Sequence, residues 1–546
     1  MRTLITNARI VDGTGAPARD GEILLEDGAI AAVGHASGSA DSVVDARGMV
    51  VAPGFIDMHS HGDFSLPDDP QAPAKTLQGV TTEVVGNCGM GMYPSNSNVD
   101  ALYARFLPLV FGEQSRGCFA SLGTFRQTLD DAGLSVNAAC LLPHGNVRSH
   151  VMAMAEREPD AGELRTMEGL VEQGMVDGAF GLSTGLVYAP GAFAKTSELV
   201  ALAKVAAAHG GFYASHIRDE TAKLVDSIAE AIEVGRKSGA GVQISHHKAV
   251  GPAAWGKIAT TLAMVDDARA EGIDVHSDVY PYTAGSTVVA AMLVSPWVFM
   301  GTAEDAIARL KDPKVRERLW NEHRARIAGL VKLPRALSFV PAKLVERAIL
   351  YLAGRSVVVS SARKHTEYEG KTFQQIARMR KRPAYDAMLD LLVEEDMAVL
   401  GIARVMRERD VRAVMRHPQT MFGTDGLPVR EGKPHPRTYG TYPRVLEHYV
   451  REKKVLSLEN AVWRMTGLPA KKLGLAARGT LAVGKAADVV VFDADKVHDN
   501  ATYGDPRRSP GGMPHVWVNG AWTVKDGRHT GAKGGRVLRR TDEARA

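Results

Sequence analysis

His59 and His61 stand one residue apart at the end of Pro53-Gly54-Phe55-Ile56-Asp57-Met58-His59-Ser60-His61, after the apolar run Met49-Val50-Val51-Ala52. Side chains alternate faces along a strand, so positions two apart point the same way. Two imidazoles aimed at one spot suit a first-row metal ion. Two surface histidines in a loop would have the same spacing, so the pair alone decides nothing. Val84-Val85-Gly86-Asn87-Cys88-Gly89 places a thiol at another strand end, between glycines that let the backbone turn sharply. Tyr213-Ala214-Ser215-His216 and Val242-Gln243-Ile244-Ser245-His246-His247-Lys248 each end an apolar run on histidine, and Met421-Phe422-Gly423-Thr424-Asp425-Gly426 ends one on a carboxylate. Taken singly these are a small buried cysteine, structural histidines and a common turn. Their force lies in conjunction: at least five strand ends carry His, Cys or Asp.

Such residues meet only if the strands are parallel and share one rim. The middle of the chain alternates apolar strand-like runs with helical stretches, which argues α/β. Eight candidate strands end near His61, Cys88, His144, Ser183, His216, His246, Asp278 and Asp425. Helical spacing of apolar residues marks Ser197 to His209, Thr221 to Lys237 and Ile258 to Glu271. Eight strand–helix units predict a (β/α)8 TIM-like barrel, whose functional residues sit at the C-terminal strand ends. About 140 residues separate the seventh strand from the eighth, too long for a βα connection. Residues 285–415 are therefore expected to form an inserted subdomain, a lid or equally an oligomer contact, with helices over Thr372 to Arg380 and Tyr385 to Glu395.

Residues 1–52 read as short strands. Asp27-Gly28 lies between apolar runs, as does Asp12-Gly13, and both favour tight hairpins. So short a piece buries too little to stand alone. Ala487–Phe492 and His515–Val518, the latter before Asn519-Gly520, offer matching strands at the other end. A small β-sandwich from 1–52 plus 475–546 is the expectation, with the barrel at 53–474.

The 546 residues carry a formal net charge of +4, small for that length, so no nucleic-acid or membrane partner is expected. Lys and Arg cluster between Arg528 and Arg540, which a solvated tail would explain. No apolar run reaches membrane-spanning length, and the start lacks a signal peptide's apolar core. Three cysteines make no disulfide framework, and a reducing cytoplasm is the default expectation.

Across essentially its whole length the chain resembles the amidohydrolase superfamily, and within it the N-acyl-D-amino-acid deacylase (D-aminoacylase) family. The resemblance runs in order through Gly54–His61, Gly86–Gly89, Gly181–Leu186, Ser215–Arg218, Ser245–Lys248, Tyr280-Pro281-Tyr282, Gly423–Gly426 and Gly484–Asp488. It implies a tight zinc held by Cys88, His216 and His246, with His59 and His61 lining a second, weaker metal position or orienting substrate. It implies Asp425 as catalytic acid and base. His246 rather than His247 is taken as ligand because the family pattern places it there. The fourth strand, Gly178 to Ser183, has no lysine to carboxylate; Cys88 fits the deacylase branch instead and counts against a cyclic-amide hydrolase. For a substrate carboxylate, Lys248 is the expected anchor, with Tyr282 or Ser286 as hydrogen-bond donors; Lys248 paired with a structural acid is the alternative. Tyr188 and His144 stand near strand ends, where packing explains them as well as substrate contact does.

The implied activity is zinc-dependent hydrolysis of N-acyl-D-amino acids to a carboxylate and a free D-amino acid. A dipeptidase for peptides with a C-terminal D residue needs the same bond and anchor. An inactive barrel serving as a binding module is the reading from another class. Arg363 and Arg378, in the insertion, could meet an acidic side chain or face solvent. Oligomeric state stays open.

Overall fold

The computed structural model describes residues 2–36, 38–104, 117–330, 342–427 and 429–540. Eight short parallel strands form its centre: Phe55–Asp57, Val80–Val85, Asn137–Cys140 continued by Leu142–Pro143, Gly181–Gly185, Phe212–His216, Val242–Ile244, Val275–Val279 and Thr420–Phe422. Every residue in them is buried, as expected of strands with helices outside and side chains filling the barrel within. Strands one to three pair in sequence, and through the Leu142–Pro143 continuation of the third so do three to eight. The ring closes where Phe180 N–H donates to the Cys140 carbonyl at 2.8 Å and Met58 N–H donates to the Phe422 carbonyl at 3.2 Å. The expected outer helices lie at Thr196–Ala208, Leu224–Ser238 and Ile258–Ala270.

Strands from both ends of the chain share a single sheet. Val489–Phe492 runs antiparallel to Val50–Pro53, and the N-terminal strands Arg2–Ile10, Arg19–Glu26 and Ala29–Gly34 continue outward from there. Where a two-layered sandwich is expected, the described residues show one sheet whose two ends enclose a common core. All nine strands are joined by hydrogen bonds in one sheet, which curls until Ile30 N–H donates to Lys485 O and Ala487 N–H donates to Gly28 O. Curling covers the edge that a flat sheet would leave open. One face packs on the barrel through Val490, Phe492 and Val516, and the other encloses Ile5, Val489, Val491 and Trp517. Asp27-Gly28 and Asn519-Gly520 turn with positive φ at both residues, as tight hairpins require. Asp12-Gly13 does not close such a turn, because its flanking strands are separated by residues 11–18.

Gly285–Val288, Val399–Ala403 and Val357–Ala362 form a separate three-stranded antiparallel sheet. Helices including Phe373–Arg380 and Ala384–Glu394 pack on it around Val289, Leu310, Met388 and Leu392. The last strand of this subdomain ends at Ala403, short of the expected 415. Helix Glu408–Arg416 turns Val411, Val414 and Met415 into the barrel's own core instead.

The basic C-terminal stretch is not a solvated tail. Val537 and Leu538 are buried, and backbone bonds tie Arg536 and Leu538 to Ala138 of the third barrel strand. Lys533 donates to Ala132 O and Arg540 to His209 O, each at a helix C-terminus, where positive charge is favourable.

Candidate metal centre

The C-terminal strand ends converge on one point. His59 Nε2 lies 3.2 Å from Cys88 Sγ, and Cys88 Sγ lies 3.5 Å from His246 Nε2. The His216 and His246 rings are 4.4 Å apart, centre to centre. Asp425 Oδ1 faces His61 Nε2 at 3.3 Å and His59 Nε2 at 3.5 Å. All six residues are buried. Cys88, His246 and Asp425 have φ of 56°, 35° and 47°, a region side chains avoid, and such strain gathers at functional sites. Glycine makes room for the turn: a Cβ on Gly185 would stand 2.0 Å from the Cys88 carbonyl oxygen.

One donor atom each from His59, Cys88, His246 and Asp425 lie within 4.8 Å of one another, and His216, Glu220 and His246 form a second such group. Burial pushes the Cys88 thiol up, but His59, His246 and His216 outweigh it and hold the group well below its ordinary value. The thiolate is the form that binds metal. Sulfur and imidazole nitrogen are the donors zinc prefers. These residues therefore fit a zinc ion.

Polar groups behind the rim orient it. Asp278 Oδ1 lies 3.2 Å from His59 Nδ1 and accepts the His246 backbone N–H at 2.7 Å; its other oxygen accepts from Gln243. Lys75 Nζ donates to Asp57 Oδ2 and Thr424 Oγ1, each at 2.6 Å, and stands 3.7 Å from Glu83. Asp57 Oδ1 accepts from the Thr424 backbone, so one buried cation locks the His59 strand to the turn that carries Asp425. Burial pushes Asp425 up, yet the Arg437 guanidinium at 2.7 Å, with His246 and His59, holds its carboxyl well below the usual carboxylate range. Lys248 Nζ contacts Glu220 and His246 Nδ1.

A model described as Amidohydrolase family matches residues 42–524. The chain belongs to the amidohydrolase family. It is 35% identical over 541 residues to a D-aminoacylase of Alcaligenes xylosoxydans xylosoxydans, covering 98% of this chain and 97% of the relative. A solved N-acyl-D-glutamate deacylase from Bordetella bronchiseptica, complexed with zinc and a phosphonate mimic of the tetrahedral intermediate, is 35% identical with a TM-score of 0.81. That match covers 98% of this chain and 99% of the solved one. A D-aminoacylase structure concerned with a binuclear metal centre, one metal activating and the second attenuating, is 33% identical with a TM-score of 0.80, covering 98% and 99%.

On this amidohydrolase's rim the structure gathers His59, His61, Cys88, His216, His246 and Asp425. Lys248, Ser286 and Tyr188 also line the cleft above it. Lys248 does pair with an acid, Glu220, but that acid faces the cleft as well. Tyr188 packs on His216, its hydroxyl 2.8 Å from Thr287 Oγ1. Tyr282 is corrected: it does not line the cleft, and its hydroxyl donates to Asp499 at 3.2 Å. Tyr282 N–H bonds to Tyr280 O across Pro281, a three-residue turn that sends the second ring away. Tyr280 lines the cleft in its place, under the Arg437 guanidinium. His247 turns to Thr261 and His144 to Glu198, both away from the metal donors. Arg437, Glu220 and Lys75 escaped sequence reading. Glu220 alone left a trace, four residues after His216.

Proposed function

We propose that this amidohydrolase hydrolyses the amide bond of N-acyl-D-amino acids, releasing a carboxylate and the free D-amino acid. The observation that carries the reading is one buried point shared by a thiolate, imidazoles and Asp425, with Arg437 beside it. The Alcaligenes D-aminoacylase and the zinc-bound Bordetella relative support the substrate class and the metal. Cys88, His216 and His246 would hold zinc, and His59 and His61 a second, weaker position. When bound, zinc supplies Lewis acidity and lowers the pKa of water.

The remaining work falls to side chains. Asp425, kept ionised, accepts the proton of the attacking water at its carboxylate and returns it to the departing amine nitrogen. The C–N bond breaks as a C–O bond forms, and no redox partner is needed. Imidazole N–H groups near Asp425 stabilise the developing oxyanion. The substrate carboxylate is anchored by Arg437, with Lys248, Tyr280, Ser286 and Tyr188 around it; a planar guanidinium suits a carboxylate best. Arg218, Lys248 and Arg437 are the Lys and Arg that line the cleft among the described residues, and each already faces an acid. Arg363 and Arg378 do not line it. With Arg437 given to the substrate's α-carboxylate, the other two described cations of the cleft, Arg218 and Lys248, are already paired with Glu230 and Glu220, which favours neutral D-amino acids.

The test is acetate release from N-acetyl-D-leucine, its L form and N-acetyl-D-glutamate, before and after metal stripping and zinc return. The D-leucine compound is expected to be the best substrate, with activity lost on stripping. Asp425→Asn is expected to keep its zinc and lose at least a hundredfold in kcat. Equal rates on both enantiomers would remove the stereochemical assignment.

A further inference from the structure

The cleft above the metal donors is far larger than an N-acetyl amino acid requires. Its volume is about 2070 Å³, against roughly 300–1,000 Å³ for ordinary small-molecule pockets. From the rim it runs between the barrel mouth and the inserted subdomain. Met90, Leu102 and Met154 line it on the barrel side, and Met292, Phe299 and Met388 on the other. Methionine walls adapt to flexible apolar ligands. Asp219, Glu304 and Asp396 also reach the lining, the last paired with Lys364.

Resting on the deacylase reading, we infer that this cleft takes a medium- or long-chain fatty acyl group on the nitrogen of a neutral D-amino acid. Size selects the acyl side. Amino-acid side chains end at the bulk of tryptophan, and the carboxylate is held at Arg437. The acyl substituent is the part of the substrate that can lengthen enough to fill an apolar channel. Each methylene moved from water onto that wall adds binding, and the same chain leaves as a fatty acid after hydrolysis.

The experiment compares N-acetyl-, N-hexanoyl- and N-decanoyl-D-leucine on the zinc-loaded enzyme, below micellar concentrations, reading D-leucine release. kcat/KM is expected to rise roughly two- to fourfold per added methylene until the wall is covered, and decanoic acid to bind at least tenfold more tightly than acetate by calorimetry. Met292→Glu, which charges the wall, should cut the decanoyl-to-acetyl ratio of kcat/KM at least tenfold. Acetyl cleaved as fast as decanoyl, or faster, overturns the inference and leaves the deacylase reading standing. Release from none of the three overturns both. Should Met292→Glu fail to fold, the chain-length series and the product affinities in the unaltered protein decide alone.

Discussion

Cys88, His246 and Asp425 reach the rim in a left-handed backbone conformation, which costs side chains about 1–2 kcal/mol each. That cost is borne where the donors must turn inward from a strand end. It makes Cys88 testable in two ways. Cys88→Ala is expected to lose tight zinc on metal analysis. In metal-free protein, Cys88→Gly should be more stable than Cys88→Ala by about 1 kcal/mol. Equal stability would argue against strain, and full zinc retention would remove Cys88 from the ligand set. The donor types were legible, because thiol and imidazole at strand ends are unusual company. Arg437 was not: it lies outside any strand, and only its 2.7 Å approach to Asp425 gives it a role.

Between elements, the linkage of Lys75, Asp57, Thr424 and Glu83 ties the first strand to the turn after the eighth. Lys75 is 2% exposed, and Asp57 and Glu83 are at most 1%. Removing the cation leaves two carboxylates buried without their partner, a loss of about 3–5 kcal/mol. Lys75→Met should therefore lower the urea midpoint strongly and weaken zinc binding, and adding Asp57→Asn should recover part of the loss. An unchanged midpoint would show the linkage to be energetically idle. Helices such as Ile258–Ala270 could be placed from periodicity, since that signal is local. A contact between residues 349 apart in the chain leaves no local signal. The Tyr280-Pro281-Tyr282 turn shows the same limit: Tyr282 was the expected donor, but the strand ends at Val279 and the turn after it leaves Tyr280, not Tyr282, on the cleft.

At the scale of the whole molecule, the C-terminal segment is docked against the barrel at Asp499, which accepts from Tyr282 and stands near Arg444. Burial pushes its carboxyl up to about 6, above the 3.8 of a free aspartate. The folded state thus holds a proton that the unfolded chain releases between pH 4 and 6. Stability from this group falls as pH rises through that window, by about 3 kcal/mol in full. Asp499→Asn should melt increasingly above the unaltered protein as pH goes from 4 to 7, and a pH-independent difference would refute the assignment. No described helix is long and apolar enough to cross a membrane. Eight parallel strands, their order and the chemistry at their ends followed from the chain alone, because apolar runs, helical period and turn residues act over a few neighbours. The curled single sheet, the docked basic tail, Arg437 against Asp425 and the apolar cleft under the insertion were settled only by tertiary structure. They join segments hundreds of residues apart, and the energy that holds them comes from burial and charge pairing that no local stretch contains.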